Sequence, residues 1–141
     1  MKTLPLRLTP GQDLREALEA AVRAQGCQAA FVLSGVGSLV DARIRFAGAG
    51  EPLRICGDSE ILSLSGTVGV GTTGDGGRGH SHLHMALAAA TGEVFGGHVA
   101  TGCRVRTTAE VLLALLPEWA FTREPDAATG FAELVVRPSG A

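Results

Sequence analysis

Leu4, Leu6 and Leu8 alternate with Pro5 and Arg7. That pattern predicts a short strand whose proline, lacking a backbone donor, belongs at a sheet edge. Thr9, Pro10 and Asp13 then signal the start of a helix, with Asp13 in its first turn. Leu14, Ala17, Leu18, Ala21 and Val22 recur at i, i+3, i+4, i+7 and i+8, a one-sided apolar stripe that Gly26 ends. Residues 29–33 form a continuous apolar run suited to a buried strand, broken at Gly35 and Gly37. Val40, Ala42, Ile44 and Phe46 alternate with Asp41, Arg43 and Arg45, the pattern of a half-exposed strand, and residues 48–52 read as a turn.

From Glu60 the segment EILSLSGTV sets Leu62 and Leu64 on one face and Ser63 and Ser65 on the other. Residues 71–79, GTTGDGGRG, hold five glycines and read as a flexible connection. Residues 80–86 and 93–100 read as two strands joined through Ala90, Thr91 and Gly92. Residues 109–116 look helical alone, yet a strand over 104–107 runs straight into them, and residues 131–136 form a last strand. Most links are too short for parallel crossovers. The expected fold is therefore α/β of the α+β kind: a mainly antiparallel sheet with one or two packed helices, in a single domain over residues 1–141.

Composition narrows the function. Hydrophobic residues make up 45% of the 141 and charged residues 18%, so the chain can bury a core. The formal net charge of −2 lacks the basic excess through which phosphate-gripping proteins release counterions. Cys27, Cys56 and Cys103 form no C-x-x-C pair, which excludes a zinc ribbon and fits thiols in a reducing cytosol. Pro5 and Arg7 interrupt the N-terminus, so no signal peptide is expected. No uninterrupted apolar run reaches the ~18 residues of a membrane span. The expectation is a cytoplasmic protein without a membrane partner.

All four histidines, His80, His82, His84 and His98, lie within one stretch. In a strand His82 and His84 share a face, their Cα atoms about 7 Å apart. A hairpin centred on Thr91 sets His84 opposite His98, with Cβ atoms roughly 5 Å apart. Three imidazoles from two strands then converge. They form a candidate site for a divalent metal, zinc by default, with a further position left open for water or substrate. His80 joins that face only if its strand begins early. The competing reading is a solvated or hydrogen-bonded cluster. Gly96 and Gly97 mark either room beside the metal or a bulge.

Other candidates are weaker. The glycine-rich 71–79 segment lacks G-K-[ST], and the serines lack a G-x-S-x-G setting. Glu60 and Glu110 could serve a histidine as base or outer partner, or be ordinary carboxylates. Arg104, Arg106 and Arg123 make either an anion patch or a solvated face. No catalytic residue is assigned.

With these segments laid out, the sequence resembles the PPC (plants and prokaryotes conserved) domain family. The resemblance rests on GDSEILSLSG at 57–66, on His82-Leu83-His84 followed by Gly96-Gly97-His98, and on Phe121-Thr122-Arg123-Glu124 with Thr129-Gly130-Phe131 and Glu133-Leu134. It implies a homotrimer, strand rather than helix over 109–116, and metal at His82, His84 and His98. It also implies a regulatory or assembly module labelled DNA-binding by analogy with plant relatives. This sequence lacks their basic AT-hook, and Asp58-Ser59 stands where they carry Arg-Phe. A small zinc enzyme activating water is the alternative function.

Overall fold

Nine elements follow in order in the computed structural model, which describes residues 1–71 and 80–140. They are β1 (Lys2–Leu8), α1 (Leu14–Ala24), β2 (Ala29–Arg45), β3 (Leu53–Gly69), β4 (His82–Ala89), β5 (Val94–Val99), β6 (Arg104–Leu115), β7 (Trp119–Pro125) and β8 (Ala132–Pro138). Six strands make one sheet in the order β1-β6-β2-β3-β4-β5, and β7 pairs with β8 in a separate hairpin. Every pairing of named strands is antiparallel. The far end of β2 also pairs with β5, Arg45 opposite His98, so strands β2 to β5 curl back on themselves.

β1 is an edge strand, as its proline requires, and among the described residues pairs only with β6. The helix is capped by Asp13, whose carboxylate accepts the Glu16 N–H at 3.0 Å. Asp13 is thus the residue before the first turn rather than within it. Leu14, Leu18 and Val22 are fully buried on the sheet, each contributing on the order of 1.5–3 kcal/mol. α1 is the one helix among the described residues.

The structure corrects three readings of the strands. Residues 29–45 are one strand running through Gly35 and Gly37, and its start alternates: Val32 is buried while Phe31 and Leu33 are 41% and 51% exposed. Both glycines stay paired with β6, Gly35 opposite Val111 and Gly37 opposite Ala109, while the register shifts fall to either side, between Val32 and Ser34 and between Gly37 and Leu39. Gly37, at φ +150, lies against the Ala109 backbone so closely that a Cβ would clash. Leu62 and Leu64 do not share a face. A bulge between Ile61 and Ser63 leaves Leu62 exposed and Leu64 in the core. Residues 109–115 are strand, in accord with the family resemblance. β6 lies between β1 and β2 in the sheet and its side chains alternate, Ala109, Val111 and Leu113 buried while Glu110 and Leu112 are exposed, before a wholly buried end at 113–115.

The last strand, expected over 131–136, has its partner in β7, which sequence pattern did not single out. Phe121 of this hairpin packs edge-on against Phe31, ring centres 5.5 Å apart, docking it on the sheet face opposite the α1 core. The connection expected over residues 71–79 lies, beyond Gly71, outside the described residues.

Candidate metal centre

The β4–β5 hairpin sets the site. Leu83, Met85 and Leu87 are buried in the core, which turns His82 and His84 to the opposite face. The Ala89 N–H donates to the Glu93 carbonyl, and Gly92 takes φ +86 to close the turn. That turn places His84 directly opposite His98. Ring nitrogens then meet in a near-equilateral triangle. His82 Nε2 lies 3.0 Å from His84 Nε2 and 3.1 Å from His98 Nδ1, and the last two are 3.1 Å apart.

Three mutually close imidazole nitrogens cannot all be satisfied by one another. A neutral ring carries a single N–H, and one proton serves one acceptor well, so lone pairs are left facing each other. A cation at the centre removes that conflict. The edge lengths also suit it. Metal–nitrogen bonds near 2.05 Å separate donors by about 3.3 Å in a tetrahedron and about 2.9 Å in an octahedral face. The observed edges fall between these values. On the fit of donors, the three histidines can hold a first-row divalent ion.

Burial and nearby charges favour the neutral form of His82 and His98. Burial lowers the His82 pKa from its ordinary 6.5; Arg123, His84 and Arg45 lower it further while Glu133 opposes them. His98 is lowered by burial, then by Arg45, His84 and His82. Neutral imidazole is the ligating form.

The triangle borders an open cavity of about 1090 Å³. His82 and His98 line it together with Arg15, Arg45, Arg123 and Glu133. Arg123 reaches in from β7, donating from Nη2 to Thr67 Oγ1 at 3.1 Å and from Nε to the His80 carbonyl at 3.4 Å. Arg45 Nη1 donates to the Ala49 carbonyl, and Arg15 is braced by Glu19 and the Ser81 carbonyl.

Several sequence candidates lie elsewhere. His80 precedes β4 and is not in the triangle. Glu60 pairs with Ala88, four residues along β4 from His84, and Glu110 pairs with Arg7 and Val36; no hydrogen bond joins either to these histidines. The suggested arginine patch is split: Arg104 holds the Gly11 carbonyl, Arg106 pairs with Asp58 at 2.9 Å, and only Arg123 faces the cavity. Gly97 marks neither a bulge nor room for the metal. It lies on the core side, where a Cβ would stand 2.6 Å from the Arg45 carbonyl oxygen. Arg15 and Arg45 were missed because they come from a helix and a strand end remote in sequence, and no local spacing joins them to the histidines.

The profile of the Plants and Prokaryotes Conserved (PCC) domain matches residues 1–117. The chain is 46% identical over 138 residues to the bifunctional protein GlmU of Synechococcus sp. (strain JA-2-3B'a(2-13)), covering 98% of this chain and 21% of that protein. It thus spans about a fifth of the length of the curated relatives it matches. A hypothetical protein from Salmonella cholerae-suis (Salmonella enterica) superposes with TM-score 0.86 at 36% identity, over 98% of this chain and 94% of that one. A metal-containing protein from Archaeoglobus fulgidus superposes with TM-score 0.74 at 30% identity, over 96% and 94% respectively.

Proposed function

The chain belongs to the Plants and Prokaryotes Conserved (PCC) domain family, and we propose that it is a metal-binding homotrimeric regulatory or assembly module of that family. His82, His84 and His98 hold one divalent cation, with zinc the default for imidazole donors. The observation that carries this reading is the triangle of ring nitrogens with edges of 3.0, 3.1 and 3.1 Å. The metal-containing description of the Archaeoglobus relative supports it.

The trimer reading draws support from the sheet face that carries the histidines. Val36, Leu62 and Leu112 are exposed, and self-assembly would cover such apolar surface. Three unpaired cysteines, two of them buried, suit the reducing cytoplasm. No helix among the described residues is long and apolar enough to cross a membrane. DNA binding gains less support, because exposed arginines meet carboxylates instead of gathering: Arg54 with Asp41, Arg106 with Asp58 and Arg137 with Glu124.

A second reading, a small metalloenzyme, is favoured by the cavity beside the triangle. A bound ion there would polarise water or a ligand oxygen. The chain's own residues shape what enters: Arg45 and Arg123 bring fixed positive charge, and the neighbouring backbone carbonyls hold them in place.

Metal analysis of untagged protein after zinc incubation tests the proposal, together with sedimentation of the wild type and of His82→Ala and His98→Ala. One ion per wild-type chain, lost in both variants while a trimer persists, is the expected result. Wild-type protein that takes up no ion overturns the metal reading, and a monomeric wild type overturns the assembly reading.

A further inference from the structure

We propose that the cavity beside the histidine triangle is a binding site for a small oxyanion, the carboxylate or phosphate group of a small-molecule ligand. The inference rests on the metal reading above and names the ligand class of that same site.

Four observations carry it. Of the charged side chains lining the cavity, three are arginines, Arg15, Arg45 and Arg123, and one is a carboxylate, Glu133. Glu19 pairs with Arg15 at 3.1 Å, which leaves Arg45 and Arg123 against Glu133, and that remaining excess on a concave, partly desolvated wall favours anions. The arginines also come from three separate elements, α1, the end of β2 and β7. Convergence from unrelated parts of the chain is not the pattern of a solvated helix face or a strand's exposed side.

Next, the guanidiniums are held. Arg123 uses two of its donors on Thr67 and the His80 carbonyl, and Arg45 uses one on the Ala49 carbonyl. Each keeps further N–H groups, since a guanidinium has five. A planar fork so anchored loses little freedom on meeting an oxyanion, and bidentate recognition is the use that suits arginine over lysine. Finally, Arg123 is partly desolvated. Burial is what most disfavours its cation, Glu133 offsets that in part, and Arg15 opposes it more weakly. An arriving anion supplies countercharge where water has been withdrawn, and a bound metal beside it adds to the attraction.

The division of roles is then clear. The histidines hold the ion, Arg45 and Arg123 hold the ligand's oxyanion, and Glu133 rejects anions that crowd its side of the cavity. Neutral molecules of equal size gain nothing from this wall.

The test uses the full chain loaded with cobalt(II), whose visible spectrum reports a change in coordination. Inorganic phosphate and acetate are titrated in, with methylphosphonate dimethyl ester as the neutral probe, and metal content is measured separately. A saturable spectral change is expected with phosphate or acetate and not with the ester. Arg45→Gln and Arg123→Gln should each weaken it about ten- to a hundredfold while keeping one metal per chain and the wild-type circular dichroism. Loaded protein that shows no anion-dependent change overturns the proposal, as does a change that both variants retain. If Arg123→Gln disturbs the β7–β8 hairpin, Arg45→Gln alone decides. Failure to take up metal would refute the metal reading instead. Calorimetric titration of phosphate into the metal-free chain then decides this one: binding lost in Arg45→Gln supports it, and no binding overturns it.

Discussion

Replacing Gly97 by alanine probes how the core-side packing holds the histidine triangle on the other face. The added Cβ would stand 2.6 Å from the Arg45 carbonyl oxygen and 2.7 Å from Ile44 Cγ2. Ordinary contact begins near 3.4 Å, so β5 and the end of β2 must separate by up to about 0.8 Å. Both neighbours resist: one is backbone, and Ile44 is fully buried. Overpacking of this kind costs about 1–3 kcal/mol.

The same displacement moves His98, the next residue, and Arg45, which pairs with it. Ligand distances tolerate only about ±0.2 Å, so zinc affinity should fall roughly ten- to a hundredfold. Urea denaturation of metal-free protein gives the first quantity, and competition with a chromophoric chelator gives the second. Gly96→Ala is the matched control. Its Cβ would meet only the Met85 carbonyl oxygen, at 3.5 Å, which is ordinary contact. Wild-type stability and affinity in Gly97→Ala, or equal losses in both variants, would refute the argument.

Two further outcomes follow from the same coordinates. Asp13 caps α1 and also accepts the Gly102 N–H, so Asp13→Ala should lower stability in urea by about 2–3 kcal/mol; a loss below about 0.5 kcal/mol would contradict that role. His82 and His98 both have pKa values below the ordinary 6.5, so between those values and 6.5 the unfolded metal-free chain binds more protons than the folded one. Stability should therefore rise with pH through that window, level off above about 6.5, and decline as pH falls; a profile unchanged in the His82→Gln/His98→Gln double variant would show that other groups govern it.

Much of this architecture could be read from residue order. The Leu14–Val22 stripe and the alternation of residues 42–45 depend on local period alone, and they hold. So does the pairing of His84 with His98, because a short turn about Thr91 leaves a hairpin little choice of register. What sequence pattern misplaced depends on distant chain. The bulge that separates Leu62 from Leu64 arises in pairing with β4, and the role of Gly97 arises from the approach of β2. β7 escaped because its one strong apolar anchor, Phe121, acquires meaning only against Phe31. Arg15 and Arg45 reach the cavity by tertiary folding, which no spacing encodes.

The pairing of β4 with β5 behaves like a frame in which parity matters. An inserted residue that stays within the loop at 90–92 leaves the imidazoles facing one another. One passed along into β5 swings His98 to the packed side and presents a glycine in its place. Descendants of this chain can thus alter or lengthen the loop so long as the register beyond it is kept, and a single-codon insertion taken up by β5 is enough to erase the triangle without touching any of its members.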